Sequence, residues 1–437
     1  DIDGNIQPAL ATSWERLDEC TMLFHLREGV KFHNGDTLSP EDVKYSLEKA
    51  AVSPQTSYLL NMIKEVEIVD SNSVKIITSY PFGALLKHLS STAASIVNKK
   101  AATLAGEEFF KNPVGTGAFT FESWIAGDRI TLNSFKDYWG EKPKVEKVIF
   151  RSIPEVSNRM IALETEEIDA SFDIGIMDRE ALINHKDLSL IEVESSAQLY
   201  LSFDQTNPLF KDIRIRQAIS YAIDNKTLAE AVFRGSASPA NSPLPSAVAG
   251  HKDIDYYKQN IELAKKLLAE AGYPNGFPLK LWVNDESTRV DMCVIIQGQL
   301  KEIGIDVDIE VFEWGTFLTK TLEHNKPLYL FSWSGSTGDA DGILYPMFHS
   351  SQRDVSANRS NYFSPKVDSL LDMARTSIDE EKRISLYKEA QEEIQNDLPH
   401  YTLVYNKLNM GINKKVKGLT LSSTGDINLA DISILEN

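Results

Sequence analysis

Gln198-Leu-Tyr-Leu-Ser-Phe-Asp-Gln-Thr-Asn-Pro-Leu-Phe-Lys-Asp-Ile-Arg-Ile-Arg-Gln-Ala-Ile-Ser-Tyr-Ala-Ile-Asp224, near the middle of the chain, decides how the rest is read. Leu199, Leu201 and Phe203 alternate with Tyr200, Ser202 and Asp204, the period of a strand with two unlike faces; from Ile213 to Ile223 the apolar residues take helical spacing. Asn207-Pro208 turns the chain between them, and Asp212 stands where the helix needs an N-cap. A strand, a short crossing loop and a helix form a unit common to many α/β folds.

At 437 residues the chain exceeds what one core supports, so two or more domains are expected. Its composition, 42% hydrophobic and 25% charged, is that of a globular protein, and no apolar run is long enough to cross a bilayer. A net charge of −18 disfavours nucleic acid as a partner, because such binding draws its affinity from phosphate neutralisation. Cys20 and Cys293 show no zinc or redox spacing. No G-x-S-x-G, H-E-x-x-H or Cys/His pairing is present, and His25, His33, His88, His185, His251, His324, His349 and His400 never fall at metal spacing. No catalytic residue, metal or cofactor is therefore expected. The excess of carboxylates reads as solvated faces, and His349 and His400 as core or surface histidines.

From Asp1 to Asn112 the pattern is strands with one strong helix. Asp1–Pro8 reads as the middle of a hairpin. Met22, Phe24 and Leu26 share one face of a strand, and Ser39-Pro40 opens a helix with Ser as N-cap. Val66–Asp70 and Ser73–Thr78 read as a hairpin. Pro113-Val-Gly-Thr-Gly-Ala-Phe119 lacks the Lys-Ser/Thr of a phosphate loop and reads as a tight crossing. The stretch Gly235–Ala247 has the composition of a linker. Beyond it come Asn260–Gly272 (helix), Leu279–Val283 (strand), Arg289–Ile303 (helix), Ile305–Val311 (strand), Phe317–Leu322 (helix), and Leu328–Trp333 (strand). That last strand runs into Ser334-Gly-Ser-Thr-Gly-Asp-Ala-Asp341, and ligands of α/β lobes gather beyond strand ends. Val367–Met373 and Glu381–Gln395 follow as helices, and His400–Tyr405 as a strand.

The pattern Phe203-x-x-x-x-Pro-Leu-Phe-x-Asp-x-Arg-x-Arg-Gln-Ala-Ile-x-x-Ala-Ile-Asp224 resembles the centre of the solute-binding proteins of peptide and nickel ABC importers. Leu10-Ala-Thr-Ser-Trp-Glu15 with Phe24-His-Leu-Arg-Glu-Gly-Val-Lys-Phe-His-Asn-Gly-Asp36 and Pro40–Leu47 is similar to that family's N-terminal signature. Asn112–Phe119 running on to Trp124 is similar to its interdomain segment, and Trp333-Ser-Gly-Ser-Thr-Gly-Asp339 to its ligand-side loop. The matches are ordered and spread over most of the chain.

The resemblance implies an α/β fold of the two-lobed, periplasmic-binding-protein type (class II), with an additional smaller lobe and a hinge. It places the smaller lobe at 1–112, the central lobe at 113–205, the second lobe at 206–408, and a return to the central lobe at 409–437. It puts Cys20 and Cys293 in different lobes, so no disulfide is expected. It makes Gly235–Ala247 an ordered run, His25 and His33 structural, and the start of the chain incomplete, with an unpaired edge in the central sheet. The function it implies is an extracytoplasmic, non-catalytic receptor, periplasmic or lipid-anchored. Such a receptor is a monomer that takes a peptide or peptide-like solute in a closing cleft and delivers it to ABC permease subunits. A nickel or nickel-chelate carrier is the alternative, and a serine hydrolase using the 334–339 loop a remote one.

The candidate ligand residues are Trp333, Gly335, Ser336, Asp339, Arg289 and Tyr405. Trp333 ends its strand at the loop mouth, where a flat wall with a free N–H suits a peptide. Arg289 heads a helix and offers a fork to a carboxylate, with a salt bridge to Asp285 or Glu286 as the competing role. Peptide-binding relatives carry an Asp where this chain has Ser336. Asp339 is then the nearest carboxylate for a ligand ammonium, and Asp339→Asn is expected to weaken binding without lowering the melting temperature.

Overall fold

The computed structural model describes residues 1–254, 257–353 and 357–435. The chain divides into two compact units, Asp1–Val193 with Asn409–Asn437, and Glu194–Leu408.

In the first unit, Ala11–Arg16, Thr21–Leu26, Ser73–Thr78 and Ile63–Asp70 form an antiparallel sheet in that order. The first ten residues hold no strand, so the hairpin anticipated at Asp1–Pro8 lies instead at Ala11–Leu26, around the turn between its two strands. The helix Pro40–Val52 begins as expected, with the Asp42 carboxylate accepting from the Ser39 N–H at 3.0 Å. It lays Val43 and Leu47 on Met22, Phe24, Val66 and Ile76, which form an apolar core of the unit. The glycine crossing is held by His33, whose Nδ1 accepts from the Gly115 N–H at 3.3 Å while Nε2 donates to the Gly117 carbonyl at 3.0 Å. Space does not require glycine here, against the reading of a tight crossing: a Cβ at Gly115 would stand 3.8 Å from the His33 ring and one at Gly117 would meet nothing within 4 Å.

Phe119–Ile125, Arg129–Ser134 and Lys147–Arg151 make a second antiparallel sheet. Ala170–Phe172 pairs with Met410–Ile412. Among the described residues Lys147–Arg151 and Ala170–Phe172 each pair on one side only. Both strands line a hollow of about 770 Å³ walled by Ile149, Phe150, Ile168, Leu419 and Ile434.

The second unit is built on the sequence Ala237–Pro239, His400–Asn413, Leu188–Ser202, Leu328–Ser334, Pro278–Asn284, Asp306–Phe312, neighbours in that order. The last three strands are parallel, and Leu328–Ser334 runs antiparallel to Leu188–Ser202. The opening stretch follows its pattern except at Asn207-Pro208, where a short helix, Pro208–Lys211, takes the place of the turn. Leu199–Phe203 is strand into the turn, Asn207 caps a short helix by accepting from the Leu209 N–H, and Asp212 caps Ile213–Ala222 by accepting from the Arg214 N–H at 2.9 Å. One face of the sheet buries Tyr200, Tyr329 and Phe331 against Leu344, Leu371 and Ile394. Each such side chain contributes roughly 1.5–3 kcal/mol of burial.

Gly235–Ala247 is ordered: Ala237–Pro239 joins the sheet, and Ser242 and Leu244 are fully buried. The helix anticipated at Phe317–Leu322 starts earlier, at Trp314, because the Glu313 carboxylate caps it through the Thr316 N–H. Gly276, at φ 75°, lies where any Cβ would stand 1.9 Å from the Gly304 carbonyl oxygen, so these two turns require glycine.

The reading of the carboxylates as solvated faces fails in the interior, at Asp42 of the first unit and at three aspartates of the second. Asp204, Asp339 and Asp341 are at most 1% exposed, and each meets a cation: Lys326 at 3.3 Å, Arg383 at 2.8 Å and Arg375 at 3.1 Å. Burial alone raises a carboxyl pKa; at Asp204 the Lys326 ammonium and the Asn361 amide outweigh it and hold the group below its usual range.

Candidate functional site

The three parallel strands of the second unit end together, and the segments that follow them carry the candidate residues. After Pro278–Asn284 comes the helix Ser287–Lys301, capped by the Glu286 carboxylate at the Thr288 N–H (3.0 Å), with Arg289 in its first turn. Arg289 donates from Nη1 to Asn284 Oδ1 at 3.0 Å and from Nη2 to Ser332 Oγ at 2.9 Å, and meets Glu286 at 3.3 Å. The ion pair anticipated as its alternative role is thus present, with Glu286. Two of its contacts are neutral, and the side chain is 18% exposed. Burial draws the guanidinium pKa down while Glu286 opposes it.

After Asp306–Phe312 comes Trp314, over which Arg289 lies at 5.7 Å. Trp314 stacks on Phe331 of the strand Leu328–Ser334 (centroids 6.1 Å apart), and Phe331 sits beneath Arg359 at 4.8 Å. Across the strand pair Phe331 faces Tyr200, whose ring stacks on His400 at 4.3 Å. Tyr200 is fully buried, which raises its pKa, and both arginines act on it in the opposite sense. His400 is fully enclosed; burial holds its pKa down at about 3, so the ring is neutral.

After Leu328–Ser334 comes the loop to Ala340. Trp333 is half-buried, and its indole N–H is engaged by the Gly342 carbonyl at 3.3 Å, so the free N–H anticipated there is absent. Gly335 continues the pairing with Ser196, donating to its carbonyl at 3.3 Å and accepting from its hydroxyl at 2.6 Å. A Cβ at Gly335 would stand 2.7 Å from Ile343 Cγ1. Ser336 is exposed. Asp339 is bound by both nitrogens of the Arg383 fork, at 2.8 and 2.9 Å, and its Oδ1 also accepts from the Asp341 N–H. A ligand ammonium would have to compete with that guanidinium. Tyr405 is 2% exposed and donates to the Ser242 carbonyl at 2.8 Å, so its ring and hydroxyl belong to the packing.

The structure therefore gathers Arg289, Ser332, Asn284 and Trp314 at the strand ends, with Arg359, Tyr200 and His400 linked to them through Phe331. Of these the sequence pattern singled out Arg289 alone as a ligand residue. Trp314 carried a usable signal, an aromatic directly after a strand. Arg359 carried none, since it lies in an aperiodic stretch. Among the described residues no three His, Cys, Asp or Glu side chains are grouped to hold a metal, and no helix is long and apolar enough to cross a membrane.

Small-molecule ligands of α/β folds gather beyond the carboxyl ends of parallel strands, the place where this arginine, these aromatics and these neutral hydrogen-bonding groups meet. The chain belongs to the bacterial extracellular solute-binding proteins, family 5, whose model matches residues 5–354. It is 31% identical to the glutathione-binding protein GsiB of Pectobacterium atrosepticum, over 99% of this chain and 87% of that protein. It is 29% identical to the dipeptide-binding protein of Escherichia coli, over 98% and 86%. The structure of the periplasmic binding protein DppA from Helicobacter pylori in complex with the peptide STSA superposes with a TM-score of 0.85 at 30% identity, covering 99% of this chain and 90% of that one.

Proposed function

We propose that this protein is the extracytoplasmic receptor of an ABC importer for small peptides, and that it takes hold of its solute through a carboxylate rather than through the amino terminus. The observation that carries this reading is the charge at the strand ends. Arg289 is largely desolvated, forked and held by Asn284 and Ser332, with only the 46%-exposed Glu286 as counter-ion, at 3.3 Å, while the loop offers Ser336 in place of an acid and Asp339 is taken by Arg383. Arg289 also stands in the first turn of a 15-residue helix, where the macrodipole disfavours a cation. An arriving carboxylate relieves both unfavourable terms and gains bidentate geometry.

Relatives named for dipeptides and for glutathione support a peptide of two or three residues. Catalysis has no part in this reading, and the protein acts as a monomer beside its permease.

Calorimetry with glutathione and with the dipeptide Met-Leu tests it, after native mass spectrometry of gently purified protein has reported any retained solute. Arg289→Gln is expected to weaken binding of whichever peptide binds by about 2–5 kcal/mol, the range for removing one side of a buried charge pair. Unchanged affinity in that variant refutes the reading.

A further inference from the structure

Two enclosed arginines of this unit lack a carboxylate partner among the described residues: Arg216, whose three nitrogens donate to the backbone carbonyls of Leu398, Phe210 and Asp397, and Arg359, which is less completely satisfied. Lys326, Arg375 and Arg383 each face a carboxylate, at 3.3, 3.1 and 2.8 Å. Arg359 faces none among the described residues. Its Nη1 donates to the Leu318 carbonyl at 2.9 Å and to the Thr321 hydroxyl, and its Nε is buried without an acceptor. The cost of burying a guanidinium without a counter-ion is several kcal/mol unless carbonyl oxygens meet its donors, as they do on all three nitrogens of Arg216; at Arg359 they meet Nη1 alone. Other polar atoms nearby are also unmatched: the Tyr200 hydroxyl, enclosed completely, and both ring nitrogens of His400 stacked upon it. Buried polar groups are nearly always satisfied, and a cluster of exceptions around one cation marks a place where a partner is absent. The cluster is joined to Arg289 through one aromatic pair: Arg289 lies 5.7 Å from the Trp314 ring centroid, Arg359 4.8 Å from that of Phe331, and the two rings are stacked.

We propose that Arg359 forms a second anionic subsite beside Arg289, so that the solute is a peptide carrying two carboxylates, such as a γ-glutamyl peptide. The proposal rests on the carboxylate reading of Arg289. It adds that one guanidinium takes the C-terminal carboxylate and the other the carboxylate of an acidic residue. A dipeptide with a single carboxylate fills only one of them. Tyr200 and His400 complete the polar wall behind Arg359 once the solute has entered.

The test is calorimetry of the native protein, Arg289→Gln and Arg359→Gln against three probes: glutathione, glutathione monoethyl ester with its glycyl carboxylate blocked, and Met-Leu. Native protein is expected to bind glutathione at least tenfold more tightly than either other probe. Arg359→Gln is expected to lose that advantage and to bind the three alike. Arg359→Lys, which keeps the charge and gives up the fork, should fall between, and melting curves of the ligand-free variants report whether the fold is kept. The blocked ligand removes the charge from the other side and so tests the pairing even if the Arg359→Gln variant folds poorly. Undiminished preference for glutathione in Arg359→Gln, or native affinity for the ester equal to that for glutathione, overturns the second subsite. Loss of binding in Arg289→Gln alongside either result leaves the single-carboxylate reading standing. Native protein that binds none of the three refutes both.

Discussion

Asp339→Asn removes the charge that neutralises Arg383, and its effect separates a structural role for this carboxylate from a ligand-binding one. The two side chains are 1% and 4% exposed and share two hydrogen bonds, so the variant leaves a guanidinium in the interior. Breaking such a pair from one side costs about 3–5 kcal/mol. Glu380 also bonds Arg383, but it is 62% exposed, and an exposed partner offsets about 1 kcal/mol or less. The net loss is then roughly 3 kcal/mol, and for a unit of this size 1 kcal/mol lowers the melting temperature by about 2–4 °C. A fall of about 6–12 °C is expected in calorimetric melting of the ligand-free protein. Arg383→Met added to Asp339→Asn should recover part of it, since the stranded charge goes too. A ligand-free melting temperature within about 1 °C of the parent would show that the pair does not form, and would restore the expectation from the sequence that Asp339 awaits an ammonium.

Two further predictions concern the same unit. His400 is neutral in the folded state with a pKa near 3 because burial disfavours its charged form. Unfolding frees it to bind a proton below about pH 6.5, so stability falls as the pH drops through that value, by about 1.4 kcal/mol per unit. Denaturant melts at pH 7 and pH 4.5 should differ by up to about 3 kcal/mol more in the parent than in His400→Phe; equal slopes in the two proteins would refute the assignment. Gly335→Ala drives a methyl to 2.7 Å from Ile343 in a packed core, and should cost about 1–3 kcal/mol in the same melts. A neutral effect would mean that the loop has room it does not show.

The elements that local chemistry specifies were readable from the sequence. Asp212, Asn260 and Ser39 each stand at the start of the helix anticipated there, and the alternation of Leu199, Leu201 and Phe203 gave the strand its face. Boundaries slipped where a cap was not recognised, as at Glu313. The site was less legible because its members meet through the fold. Arg383 reaches Asp339 from 44 residues away, and no spacing rule predicts that a helix of high charge will turn one arginine inward. Arg359 and Trp314 converge on Phe331 from opposite sides in sequence. The unlike fates of Ser336, exposed, and Asp339, enclosed, three residues apart in one loop, depend on which helices pack beneath it.

The first unit is assembled from two segments that flank the second, and this sets an order of events during synthesis. Everything from Glu194 to Leu408 has emerged, and can fold, before the strand Ala170–Phe172 receives its partner Met410–Ile412. The unit begun first is thus finished last. Until the final segment arrives, the Ala170–Phe172 edge stays open, and the chain is at that stage most exposed to proteolysis and to pairing with a neighbour. A stop codon just after Leu408 would cut the strand His400–Asn413 short and remove the partner of Ala170–Phe172.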